Sequence, residues 1–248
     1  MMRPIRRNAS PIKGTYQKYT DAKIALLDRI GAGKLNNEAH VFYCSYCERV
    51  TPAAGLAIEH IEPKGGKYGQ VHLQNTWHNF LLACANCNSS KGSKQVKIKD
   101  LFLPDRDNTF TALQYLADGN IIPAPHLSLE NKKKAHATLS LVGLKTPSLP
   151  QPDRTHKRIQ VWGSATAALN DYISNPSNKA IKKFILKLMI HEGGFSIWMT
   201  VFKDYPEMKK LFINSISGTR ESGCFNSHTD MPISPHPNKD NLKYGGKI

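Results

Sequence analysis

No stretch of this 248-residue chain approaches the roughly 20 apolar residues that span a bilayer. The strongest apolar run, Phe184 to Ile190, is seven residues long and contains Lys187. Met1 to Arg7 is basic, but no apolar h-region follows it, so it does not read as a secretory signal and the expected compartment is the cytoplasm. Acidic residues are scarce: nineteen Asp and Glu face thirty-four Lys and Arg, a formal charge of +15. That imbalance favours an extended polyanion as partner, with nucleic acid foremost, against the bland alternative of a solvated basic surface. No internal repeat is present. Cysteines number five, and in a reducing compartment a disulfide framework is excluded as their purpose.

Four of the five are spaced as Cys44-x-x-Cys47 and Cys84-x-x-Cys87, which reads as a closed four-thiolate zinc site, leaving Cys224 as a free thiol. The gap between the pairs exceeds the ~15–20 residues of compact zinc ribbons, so spacing alone does not complete the case. Such an ion is structural, and its binding energy of about 10–16 kcal/mol becomes folding energy. Between the knuckles lies Ile58-Glu59-His60-Ile61-Glu62-Pro63-Lys64, and the second knuckle runs straight into Asn88-Ser89-Ser90-Lys91. One ion would therefore hold a histidine-bearing strand against the start of a polar helix. A neutral imidazole near its ordinary pKa of ~6.5 can take a proton from water, the task of a general base.

The spacing of apolar residues predicts a short helix over Thr20–Ile30, stopped at Gly31, and β-prone runs at Val41–Tyr43 and Leu56–Ile61 that read as the arms of a hairpin around the turn region 51–55. Pro63–Lys67 breaks the second arm into a basic loop. Leu81–Cys84 leads into a helix expected to start near Cys87 or Asn88 and fade by Val96, in a region made basic by Lys91, Lys94, Lys97 and Lys99. Phe110–Leu116, the turn signal Asp118-Gly119 and Ile121-Ile122 predict a second hairpin. Helices are expected over Leu129–Leu144, Asp153–Ser174, Asn178–Glu192, Phe195–Lys203 and Pro206–Ile213, entered through a proline-rich linker, Pro147–Pro152. Residues 218–248 read as irregular, with a disordered end.

Taken together, Cys44-x-x-Cys47, Glu59-His60-Ile61-x-Pro63-Lys64 and Trp77-His78-Asn79-Phe80-Leu81-Leu82-Ala83-Cys84-x-x-Cys87-Asn88-x-x-Lys91-Gly92 resemble the HNH endonuclease signature in its four-cysteine form, with asparagine in the last position. The resemblance covers residues 40–95. It implies an α+β fold: a ββα-metal nuclease core with a second hairpin, followed by a mostly α-helical C-terminal half. It implies one divalent ion, usually Mg²⁺, and hydrolysis of DNA. By position, Glu59 and Asn88 would be the Mg²⁺ ligands, His60 the general base, Asn79 the residue orienting the loop behind it, and Lys91 a contact to the scissile phosphate. Neighbours on a regular strand face opposite ways, so Glu59 and His60 share a site only if the strand ends or bulges there, and Glu62 is the rival ligand. Asn88 has a second reading as a helix N-cap and Lys91 as a solvated lysine. Two alternatives stand beside the DNA nuclease: a non-catalytic zinc-stapled nucleic-acid-binding module, and a nuclease acting on RNA.

A wider set, Met2-Arg3-Pro4-Ile5, Cys44-x-Tyr46-Cys47-Glu48-Arg49, Pro104-Asp105-x-Asp107-Asn108-Thr109, Asp118-Gly119 and the helical half, is similar to HNH effectors of bacterial anti-phage systems of the Septu type, which act beside an ATPase. The bland reading of Asp105 and Asp107 is that they shape a turn. The expected organisation is a nuclease domain at 1–125, a helical partner-docking domain at 126–217 that would receive the ATPase, and the tail at 218–248.

Overall fold

The computed structural model describes residues 2–36, 38–145 and 152–248. The predicted first helix forms with a changing pitch: a 3-10 turn at Tyr19–Ala22, α1 at Lys23–Leu26 and a π turn at Leu27–Gly31. The hairpin β1 (Ala32–Leu35) and β2 (Glu38–Phe42) follows. Next come β3 (Leu56–His60), β4 (Phe80–Cys84) and α2 (Ala85–Lys91).

The expected pairing of 41–43 with 56–61 does not occur. β2 pairs with β1, and β3 pairs antiparallel with β4 in the register Leu56↔Cys84 to His60↔Phe80. The reason lies in the first knuckle, which consumes the hydrogen bonds that a hairpin there would need: Glu48 N donates to Cys44 O (3.0 Å), Cys44 N to Arg49 O (3.1 Å) and Thr51 N to Phe42 O (2.8 Å). β4 is buried along its whole length, as its apolar run requires. With α2 following directly, β3, β4 and α2 make the ββα unit. The helix starts at Ala85, two or three residues earlier than expected, and ends at Gly92, whose φ of +50° a side chain would resist.

Downstream, the second hairpin forms from β5 (Leu113–Tyr115) and β6 (Ile121–Pro123), while the front of the expected strand is instead a helical turn, α3 (Thr109–Ala112). The helical half comprises α4 (Leu129–Leu141), α5 (Pro152–Ser174), α6 (Lys179–Glu192), α7 (Phe195–Val201) and α8 (Pro206–Ser215), close to the expected spans. Two caps carry the starts: Ser128 Oγ accepts from Asn131 N, and Asn178 Oδ1 accepts from Ala180 N and Ile181 N. Apart from Pro152, the predicted linker lies outside the described residues. Among the described residues no helix is long and apolar enough to cross a membrane.

The core runs from Met2 and Ile5 through β4 to Phe202, Phe212 and Ile248. Glu48, in the first knuckle, binds both N and Oγ of Ser196 on α7, and Tyr43 Oη donates to Ile190 O on α6 (2.7 Å), so the nuclease segment and the helices interlock. The tail departs from expectation. It has no helix or long strand, yet it is packed rather than loose: Ile248 O accepts from Asn108 N and His236 N, Lys247 pairs with Asp107 (2.8 Å) and Asp240 with Arg6 (2.7 Å). Its polar composition is spent on internal partners, which composition alone does not reveal.

Candidate active site

The two knuckles bring Cys44, Cys47, Cys84 and Cys87 together with every Sγ within 4.8 Å of the others, and none is in a disulfide. Cys47 Sγ and Cys84 Sγ are 3.7 Å apart. A tetrahedral ion with bonds of ~2.3 Å separates its sulfurs by about 3.8 Å, so the donor set suits zinc in chemistry and size. Mutual hydrogen bonds and burial push the Cys47 and Cys87 thiols up, a crowding that a divalent cation relieves. Arg154, on α5, donates to Cys87 Sγ (3.4 Å) and to the carbonyls of Val142 and Gly143, offsetting thiolate charge from the helical half.

The four-cysteine cluster sits at the junction of β4 and α2, and α2 packs against both β3 and β4. There a cleft of about 900 Å³ opens, lined by Glu59, His60, Asn88, Lys64, Lys23 and Tyr19 among others. β3 ends at His60, so Glu59 and His60 both reach the cleft although they leave the strand in different directions.

The His60 ring is fixed from three sides. Its Nε2 is 2.8 Å from Gln74 O, and it meets Tyr19 and Phe80 edge-on at centroid distances of 4.9 and 5.3 Å. A carbonyl can only accept, so Nε2 carries the proton and Nδ1 keeps its lone pair. Burial pulls the ring's pKa down, with Lys64 and Lys91 adding to the effect, and the imidazole is neutral at physiological pH.

Glu59 turns inward. Its Oε1 lies 2.8 Å from Lys91 Nζ, with both side chains almost fully buried. The contact is an ion pair by distance without hydrogen-bond alignment, since Oε1 is buried with no aligned donor. Burial pushes the carboxyl up to about 7 despite the opposing Lys91 charge. Lining the same cleft, Asn88 lies one turn inside α2, half-buried, and its side-chain amide makes no hydrogen bond among the described residues. The N-cap reading of Asn88 therefore falls: Cys84 holds that position. A carboxylate and an unbonded amide lining one cleft offer hard oxygens of the kind a divalent cation such as Mg²⁺ takes.

Lys91 departs from both of its expected readings. It is 1% exposed, and besides Glu59 it binds His60 O (2.7 Å), so it is neither solvated nor free to meet a phosphate. Glu62, the rival ligand, lines a separate cavity of about 470 Å³ with His72, His78 and Arg106. Asn79 is buried behind His60, where its Oδ1 accepts from Glu62 N (2.8 Å) and its Nδ2 donates to Glu62 O (2.9 Å). It thereby closes the loop that carries Gln74.

Asp105 does more than shape a turn. Burial alone would raise its pKa, but the guanidiniums of Arg106 and Arg7 hold it well below the carboxylate range. Through Arg7, which also donates to His78 O and Phe80 O, this network braces the approach to β4. The site residues that the sequence did not single out are Tyr19 and Lys23. Both come from the N-terminal helical segment, and no motif spacing connects them to His60.

Residues 44–94 match the family described as HNH endonuclease. The chain is also similar to the "Retron Vc95 putative HNH endonuclease" of Vibrio cholerae serotype O1 biovar El Tor, at 29% identity over 152 residues, which is 60% of this chain and 73% of that protein. The chain thus carries an HNH endonuclease domain, and its enzymatic class is that of a nuclease.

Proposed function

We propose that this nuclease hydrolyses DNA phosphodiester bonds with His60 as general base and with Glu59 and Asn88 as ligands of one divalent ion, Mg²⁺ in the cell. The observation that carries the reading is the imidazole anchored through Nε2 to Gln74 O, with its Nδ1 lone pair left over, on a residue that lines the same cleft as a buried carboxylate and an amide unbonded among the described residues. In that arrangement Nδ1 takes the proton of an attacking water, while Phe80 and Tyr19 keep the ring from turning away. Asn79 acts at one remove by fixing the loop of Gln74. Glu59 and Asn88 would hold a divalent ion there, and its chemistry would be positive charge for the phosphate and the departing 3′-oxygen. The four cysteines hold the structural zinc that aligns β3 with α2. The net charge of +15 supports a polyanionic substrate.

The cellular role is read from likeness. The sequence resemblance to anti-phage effectors, and a similar protein named for a retron, support a nuclease component of a bacterial defence system. The surface for a partner ATPase would lie on the helical half, where Phe184 is 62% exposed between Lys183 and Lys187.

Supercoiled plasmid and a matched RNA, incubated with pure protein in Mg²⁺ and in EDTA alongside a zinc assay, test the reaction. Nicking of DNA should require Mg²⁺ while zinc stays bound, and His60→Ala should keep zinc and binding yet lose at least 100-fold in rate. Cleavage in EDTA, or wild-type cleavage by His60→Ala, would remove the assignment. Cleavage of RNA alone would move the substrate class.

A further inference from the structure

With Lys91 buried, the cleft needs another group to meet the substrate's charge, and two lysines stand there without an acidic partner. Lys64 and Lys23 both line the cleft beside His60, both are half-buried, and neither forms a salt bridge among the described residues. Lys64 is seated rather than loose: its Nζ lies 3.8 Å from the centroid of the Tyr19 ring, a cation–π contact, while the same ring packs T-shaped against His60.

The backbone under Lys64 is built for this placement. The loop from Pro63 to Gln70 closes on itself through Gln70 N to Pro63 O (2.6 Å) and Gly69 N to Gly66 O (3.0 Å). Gly66 has a φ of +77°, and a Cβ there would lie 2.9 Å from Ser93 Cβ, so the loop can sit this close to the end of α2 only with glycine. Tyr19 is anchored just as firmly. Tyr16 N donates to Asn75 O (3.0 Å) and Asn75 Nδ2 to Gln17 O (3.1 Å), beside the Gln74 carbonyl that holds His60. One ring therefore touches the proposed base and an unpaired cation at once, from a segment outside the matched residues 44–94.

We propose that Lys64 and Lys23 form the phosphate clamp of this cleft, and that Tyr19 is a positioning residue that holds Lys64 and His60 in register with each other. The proposal rests on the nuclease reading above. It makes the N-terminal helical segment an integral wall of the site and gives the ammonium groups the contact that the motif alone would assign to Lys91.

The test is binding of a fluorescein-labelled DNA duplex in Ca²⁺ over a series of salt concentrations, with Mg²⁺-driven cleavage kinetics in parallel and zinc content and melting as checks of folding. Each phosphate contact contributes about 0.9 to the slope of log K against log salt on a duplex. Lys64→Ala and Lys23→Ala should each lower the slope by about one and weaken binding by about tenfold at low salt, the double variant lowering it by about two. Lys64→Arg should recover most of the loss, since a guanidinium also stacks on Tyr19. Tyr19→Phe should resemble the wild type, because both contacts use the ring. Tyr19→Leu should cut kcat by more than it raises KM. Slopes unchanged, or lowered no more than by Lys133→Ala on the exposed face of α4, overturn the clamp while wild-type cleavage leaves the nuclease reading standing. A wild type that neither binds nor cuts overturns both.

Discussion

The buried pair of Lys91 and Glu59 separates a structural lysine from a substrate-binding one by measurement. As a phosphate contact on a solvated helix, Lys91 would be replaceable within about 0.5 kcal/mol of stability, and its loss would appear in KM and in salt dependence. In the structure both side chains are almost fully buried, at 1% and 3% exposure, and Lys91 Nζ also holds the last carbonyl of β3. Removing one member of such a pair leaves an uncompensated buried charge and costs about 3–5 kcal/mol. Lys91→Met keeps the aliphatic stem and isolates that cost. For a slope of about 3 kcal/mol per M, the urea midpoint of the zinc-loaded protein should fall by roughly 1–1.7 M.

Replacing both residues provides the control. Lys91→Met with Glu59→Leu removes the charge along with its partner, and should recover most of the lost stability, because an apolar pair of similar volume is often as stable as the ion pair. The double variant should still be inactive, having lost the carboxylate. In Lys91→Met alone, Glu59, already pushed up to about 7 by burial, loses the cation that opposed the shift and rises further, so more divalent ion is needed for cleavage at neutral pH. A Lys91→Met protein with a wild-type urea midpoint and a raised KM would return Lys91 to the substrate.

Two other perturbations reach the four-cysteine centre and the tail. Cys84→Ser takes one thiolate from a set whose sulfurs lie within 4.8 Å, and should lose zinc and unfold the 40–95 region, since metal-binding energy is folding energy there; full zinc content with an unchanged melting curve contradicts this. His236 is buried, and its Nδ1 accepts from Asn238 N (2.8 Å), a bond that requires the neutral ring. Burial lowers its pKa from an ordinary ~6.5 to about 4. The unfolded chain therefore binds the proton first. The contribution is whole above pH 6.5 and is lost as the pH falls towards 4, by about 3 kcal/mol at most. Hydrogen exchange in residues 232–248 should quicken over that window, and His236→Asn, which keeps an acceptor without a titrating group, should flatten the response; equal acid sensitivity in that variant removes His236 as the cause.

The parts of this molecule that were legible in the sequence are those encoded by short-range spacing. Two C-x-x-C pairs announce a four-sulfur cluster, the periodicity after Leu129 announces the helices, and Asp118-Gly119 announces the second hairpin. What failed depends on long-range pairing. β3 finds β4 across a loop of irregular chain, and nothing in Val41–Tyr43 or Leu56–Ile61 says that the knuckle between them has already used the backbone groups of a hairpin. The end of the tail reads as disordered because its composition is polar, while its stability comes from single partners far away in sequence, such as Asp107 for Lys247.

Asn88 and Lys91 illustrate the same limit within one helix. Three residues apart, they share a face of α2, and the sequence correctly sends both towards the cleft. It does not say which of the two is satisfied there. That is decided by where β3 stops, because the carbonyl of His60 and the carboxylate of Glu59 converge on the ammonium and bury it, leaving the amide of Asn88 without a partner among the described residues. The residue that looked like the substrate contact is the bolt between strand and helix, and the charge it withdraws from the cleft has to be supplied from elsewhere, which is what makes the unpaired Lys64 and Lys23 worth testing.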